Sequence, residues 1–184
     1  TTLGMMMSRT RTIINRGIKR QLVKYDVHPF LNYSISASKV REVDLSIETF
    51  NKIRLAHPDE RKLRVAHDLF CLSFYLGGIN LIDLLQVNFK GTDTLEYVRV
   101  KTRNTVVGTR TISFSIPEPA KVIIDRWMNR NTGRLDFGYK FSYPNFSRYI
   151  TRSLTTLSKN LGITEKVVYY SARKSFAQYA SEIG

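Results

Sequence analysis

The chain has 184 residues, 42% of them hydrophobic, enough for the core of one mid-sized domain and too apolar for wholesale disorder. Lys and Arg number 29 against 15 Asp and Glu, a net charge of +14 that repels itself unless a polyanion offsets it. One cysteine excludes a disulfide framework, three scattered histidines lack metal-ligand spacing, and no apolar stretch is long enough to span a bilayer. Nucleic acid is therefore the expected partner, with no membrane, no metal and no cofactor. The absence of a signal-peptide pattern adds the expectation of a reducing, cytoplasmic location.

Residues 8 to 25 read as an amphipathic helix. Ile14, Ile18, Leu22 and Tyr25 recur at helical spacing, while Arg9, Arg11, Arg16, Lys19, Arg20 and Lys24 fill the remaining faces. His28-Pro29-Phe30 should end it, because the residue before a proline is pushed out of helical geometry. Residues 31 to 43, rich in Ser, read as a linker. Ser46 and Glu48 mark a fresh helix start. A second helix is expected from Glu60 to Leu76, stopped by Gly77-Gly78, and a short one from Asn80 to Val87. Alternation then predicts strands over Leu95–Lys101 and 109 to 116, parted by a turn at Arg103-Asn104. Helices are predicted from Glu118 to Asn129, from Pro144 at the first helical position to Asn160, and from Tyr170 to Ile183. The expected fold is mainly α with a small antiparallel three-stranded β-sheet.

Three places could carry chemistry. Lys101 ends the run Tyr97-Val98-Arg99-Val100-Lys101, where a hairpin lysine can protonate a leaving group or screen a phosphate; the plainer reading is a solvated lysine. Tyr170 and Arg173 share a helix face, and a guanidinium there offers a planar fork to phosphate oxygens with a phenol beside it. The plainer reading pairs Arg173 with a carboxylate such as Glu165. The third place is Gly77-Gly78-Ile79-Asn80 with Asp83 behind it, a helix break in which Asp83 would satisfy backbone donors.

Together these three places resemble the tyrosine recombinases, the phage-integrase family, over the stretch from the basic helix to Gly184, and most of all the branch carried by mobile elements of gut anaerobes. The resemblance implies the recombinase catalytic-domain fold. Residues 1–28 would be the last helix of a core DNA-binding domain, 29–43 a linker, and 44–184 a catalytic domain lacking its C-terminal nucleophile segment. Lys101, with Thr102 behind it, stands where the family has its hairpin general acid for the 5′ oxygen. Tyr170-Ser171-Ala172-Arg173 stands on the His-x-x-Arg box, so that Arg173 binds the scissile phosphate, Tyr170 takes the histidine position and Lys174 adds a phosphate contact. Contacts to double-stranded DNA fall to Arg9, Arg11, Arg16, Lys19, Arg20, Arg99 and Arg103, with self-association into a synaptic tetramer on DNA and a bacterial, nucleoid-associated location.

Two departures matter. Asn80 replaces the family's first catalytic arginine, and an amide supplies no charge; Arg99 and Arg103 are the candidate substitutes. None of the ten tyrosines aligns with the attacking nucleophile, which is expected beyond Gly184. A rival reading is a non-catalytic DNA-binding relative that acts as a regulator.

Overall fold

The computed structural model describes residues 2–35, 45–101, 111–140 and 142–183. The chain divides into two compact units, Thr1–Glu42 and Val43–Gly184. Among the described residues no helix is long and apolar enough to cross a membrane.

The first unit is built on α1 (Thr2–Lys19), so the expected basic helix exists but begins and ends about two turns early. Its stop is not the His28-Pro29 step. Gln21 adopts a left-handed φ of 58°, Leu22 N donates to Gly17 O at 3.0 Å and Gln21 N to Ile18 O at 2.9 Å. That double closure caps a helix C-terminus, and Gly17 weakens the last turn beforehand. Leu22 continues the apolar spacing past the end and is exposed. His28 then pins the returning chain. Phe30 N donates to its Nδ1 at 3.0 Å, which leaves the proton on Nε2 to reach Asn15 Oδ1 at 2.8 Å. Arg9, Arg11, Arg16, Lys19 and Arg20 are all exposed. Arg9, Arg16 and Lys19 share one side of the helix by their spacing of seven and three.

The second unit runs α2 (Ile47–Arg54), α3 (Arg61–Tyr75), α4 (Leu81–Leu84), β1 (Thr94–Val98), β2 (Thr111–Ser115), α5 (Glu118–Trp127), α6 (Tyr143–Asn160) and α7 (Tyr169–Ile183). Ser46 caps α2 as its position predicts, its Oγ accepting from Thr49 N at 3.2 Å. The organising element is α3. Every residue from Val65 to Ser73 is buried, because α2, α5, α6 and α7 all pack on it. A helix buried all round needs apolar residues on every face, and this run supplies them except at His67, Asp68 and Ser73. Cys71 is buried and free, as its apolar surroundings suggest.

The fold is mainly helical with one small antiparallel sheet. Among the described residues that sheet has two strands, not the expected three, and Glu96 pairs with Ser113 at its centre, with Tyr97 opposite Ile112 beside them. β1 stops at Val98, three residues before the predicted end at Lys101. The Arg103-Asn104 turn and residues 109–110 of the second predicted strand lie outside the described residues.

Candidate phosphate-binding site

The chain leaves α3 through Gly77 and Gly78, whose φ angles of 69° and 73° lie in the left-handed region that side chains resist. Gly78 is required a second time by packing. A Cβ there would stand 2.8 Å from Arg173 Cγ and 3.0 Å from Arg173 Cα, because α7 crosses directly over the turn. That close approach lets Arg173 donate from Nη1 to Gly78 O at 3.0 Å. One residue on, Ile79 O accepts from Ser73 Oγ at 2.9 Å and from Tyr169 OH at 3.1 Å. Burial pushes the Tyr169 phenol well above its ordinary pKa, so it stays a donor.

Gly78→Ala is therefore expected to cost about 2–5 kcal/mol, the sum of left-handed strain and overpacking against a backbone atom. Gly77→Ala meets nothing closer than 3.7 Å and should cost only the strain, about 1–2 kcal/mol. Urea unfolding of the two variants measures the difference, and equal midpoints would refute the α7 contact as its cause.

Asp83 joins this turn to the strand. Its carboxylate is buried, accepts Val100 N at 2.8 Å on Oδ1 and faces Asn80 Nδ2 at 3.4 Å on Oδ2. The N–H of Val100 thus leaves the β ladder for a carboxylate, which ends β1 and sets Lys101 next to the tie. Lys101 is exposed, and no hydrogen bond or ion pair engages it among the described residues. Tyr97 reports the local field. Burial and the Asp83 carboxylate push its phenol up, while the guanidinium groups of Arg173 and Arg99 pull it partly back. Arg99 is part-buried, and its Nε is buried with no hydrogen-bond partner among the described residues. Tyr143, at the start of α6, is also raised by burial and by Asp83.

Of the residues expected from sequence, Asn80 faces Asp83, Arg99 and Arg173 both act on the Tyr97 phenol, and Lys101 follows Val100, whose N–H Asp83 accepts. Tyr170 and Lys174 lie beside Arg173 on α7, the first exposed and the second half-buried, without hydrogen bonds among the described residues. Arg103 and Thr102 lie outside the described residues, and the cations of α1 belong to the other unit. The Arg173–Glu165 pair does not form: Glu165 instead accepts from Ser46 N and the Thr49 hydroxyl. Asp83 does satisfy a backbone donor, as its place in the helix break suggests, but the donor lies 17 residues away.

Sequence reasoning missed a second cationic face. Asn145, Arg148, Arg152 and Lys159 follow one another along α6 at helical spacing and are all exposed. The signal was legible as basic residues at intervals of four and seven. Among the described residues no cluster of His, Cys, Asp or Glu is disposed to hold a metal ion. Comparison with protein-family models, with curated proteins and with solved structures finds no match to this chain.

Proposed function

We propose that the chain is the DNA-binding part of a site-specific recombinase of the tyrosine type, carrying a recombinase-like catalytic domain. What supports the reading is one arrangement. Through Asp83 and the Gly78 carbonyl, the turn with Asn80, the strand end with Arg99 and Lys101, and the helix with Arg173 converge on a single region. Three cationic side chains with so few carboxylates beside them suit one phosphodiester.

In the proposed reaction a nucleophilic tyrosine hydroxyl attacks the phosphorus, losing its proton as the bond forms. The new O–P bond forms as the bond to the 5′ oxygen breaks, leaving a 3′-phosphotyrosine. Lys101 gives its proton to the departing 5′ oxygen, and Arg173, Arg99 and Lys174 stabilise the phosphorane charge. Tyr170, at the histidine position, donates a neutral hydrogen bond. The exposed cations of α1 and of α6 hold the flanking duplex through its phosphates.

The test is a nicked suicide DNA substrate incubated with the full-length protein. A covalent protein–DNA adduct, together with duplex affinity that falls steeply with salt, is the expected result. One observation favours the non-catalytic regulator: the Asn80 amide is turned toward Asp83 and brings no charge. Salt-dependent duplex binding without an adduct under any condition would decide for that rival.

A further inference from the structure

A second cationic cavity lies toward the other end of α3 from the Gly77-Gly78 turn. It has a volume of about 300 Å³ and is bounded by the loop after α2, the first half of α3 and Arg126 of α5. Arg64 is held at its wall by the loop backbone, with Nε donating to Pro58 O at 3.2 Å and Nη2 to Asp59 O at 3.0 Å. Those acceptors are neutral, so they orient the guanidinium without cancelling its charge. No carboxylate forms an ion pair with Arg64 among the described residues. Arg126 enters from the opposite side, aimed by the bond from its Nη1 to Asp68 Oδ2 at 2.7 Å.

The buried Asp68 carboxylate is shared between Arg126 and His67, which lies 3.1 Å from its other oxygen. Asp59 also lines the cavity, so the guanidiniums of Arg64 and Arg126 share it with two carboxylates, of which Asp68 is buried and already bonded to Arg126. An anion entering here meets two guanidiniums whose orientation is already fixed, so little ordering entropy is lost on binding. The volume sits at the low end of small-molecule sites, about 300–1,000 Å³.

We propose that this cavity binds a phosphate-type oxyanion, held by the free donors of Arg64 and Arg126. The oxyanion comes either from a small phosphate compound or from the backbone of a nucleic-acid strand. The site is separate from the one around Asp83: α3 is 15 residues long, which puts the two helix ends roughly 20 Å apart. It stands whether or not the recombinase reading holds.

The probe is inorganic pyrophosphate, followed by NMR of the imidazole rings, since His57 and His67 line the cavity and His28 lies in the other unit. The expected result is a saturable movement of the His57 and His67 signals with His28 still. Arg64→Gln should weaken that binding at least tenfold while the buried His67 signal keeps its folded position, and Arg173→Ala should leave it unchanged. Arg126→Lys, which keeps a charge beside Asp68 but loses the fork, should also weaken it. In a second arm, a short DNA duplex that moves the same signals and competes with pyrophosphate identifies the backbone as the source. A duplex that leaves them still while pyrophosphate moves them identifies a small phosphate compound. The proposal is overturned if neither probe moves them saturably, if pyrophosphate moves His28 in parallel, or if Arg64→Gln binds as tightly as the unaltered chain.

Discussion

Asp68→Ala is expected to lower folding stability by about 3–5 kcal/mol, the cost of breaking a buried ion pair from one side. In a unit of this size that corresponds to a fall in Tm of roughly 10 °C. Asp68 is 2% exposed, and both its oxygens are used. Oδ1 faces His67 Nδ1 at 3.1 Å, while Oδ2 accepts from Arg126 Nη1 at 2.7 Å and Trp127 Nε1 at 2.8 Å. The variant takes the acceptor from all three donors; Arg126, 45% exposed, can turn to water, whereas the buried His67 cannot. Asp68→Asn keeps one acceptor and should fall between the two.

The same network sets a pH profile. Burial alone pushes the Asp68 carboxyl up, but the hydrogen bonds from His67, Trp127 and Arg126 outweigh it and hold it below its ordinary 3.8. That stability is present above pH 3.8 and is lost as pH falls through the lower folded value. Burial alone would lower His67, yet its bonds to Asp68 and Cys71 raise it to about 10. Its contribution is whole below pH 6.5 and is lost as pH rises toward 10. Thermal midpoints should therefore be highest between the two windows and decline on both flanks. Asp68→Ala should flatten both; an alkaline decline of undiminished size in that variant would show that His67 draws its stability from elsewhere.

This network also shows what a sequence does not display. An aspartate inside the apolar run Val65–Leu72 signals that some partner must be buried with it, but Arg126 and Trp127 lie 58 and 59 residues away. The long helices were legible because their apolar period and their stops are local: Ser46 opens α2, Gly77 and Gly78 close α3, and Pro144 stands in the first turn of α6. The end of α1 was not, since Gln21 takes a left-handed conformation that nothing in its residue type announces. The end of β1 was hidden for the same reason as the Asp68 network: alternation continues through Lys101, and only Asp83 draws Val100 out of the ladder. Within the candidate site, Lys101 and Arg173 stand out in the sequence by residue type and spacing and take their proposed roles from a family resemblance, whereas the bond from Arg173 to Gly78 O spans 95 residues and no spacing rule reaches it.

Under the proposed reaction, Arg173→Ala is expected to slow adduct formation about a hundred- to a thousandfold at saturating DNA, as loss of one charged donor to a developing oxyanion does. Duplex affinity should change only a few-fold, because one phosphate contact among many is removed. The lost bond to Gly78 O is worth about 1 kcal/mol, too little to unfold the domain, so rate and stability separate. Arg99→Ala is expected to slow the reaction by a comparable factor. A phosphorane needs more positive charge than Arg173 alone provides, and Asn80, facing Asp83, gives none. Arg99 already acts with Arg173 on the same Tyr97 phenol, and its buried Nε has no hydrogen-bond partner among the described residues. Keeping that donor unsatisfied costs about 1–3 kcal/mol, which a bound phosphate would recover. Asn80→Arg placed on top of Arg99→Ala should restore at least tenfold of the lost rate, since the second charge then reaches the phosphate from the turn instead of the strand. If Arg99→Ala alone leaves the rate untouched, the missing charge is not supplied by Arg99.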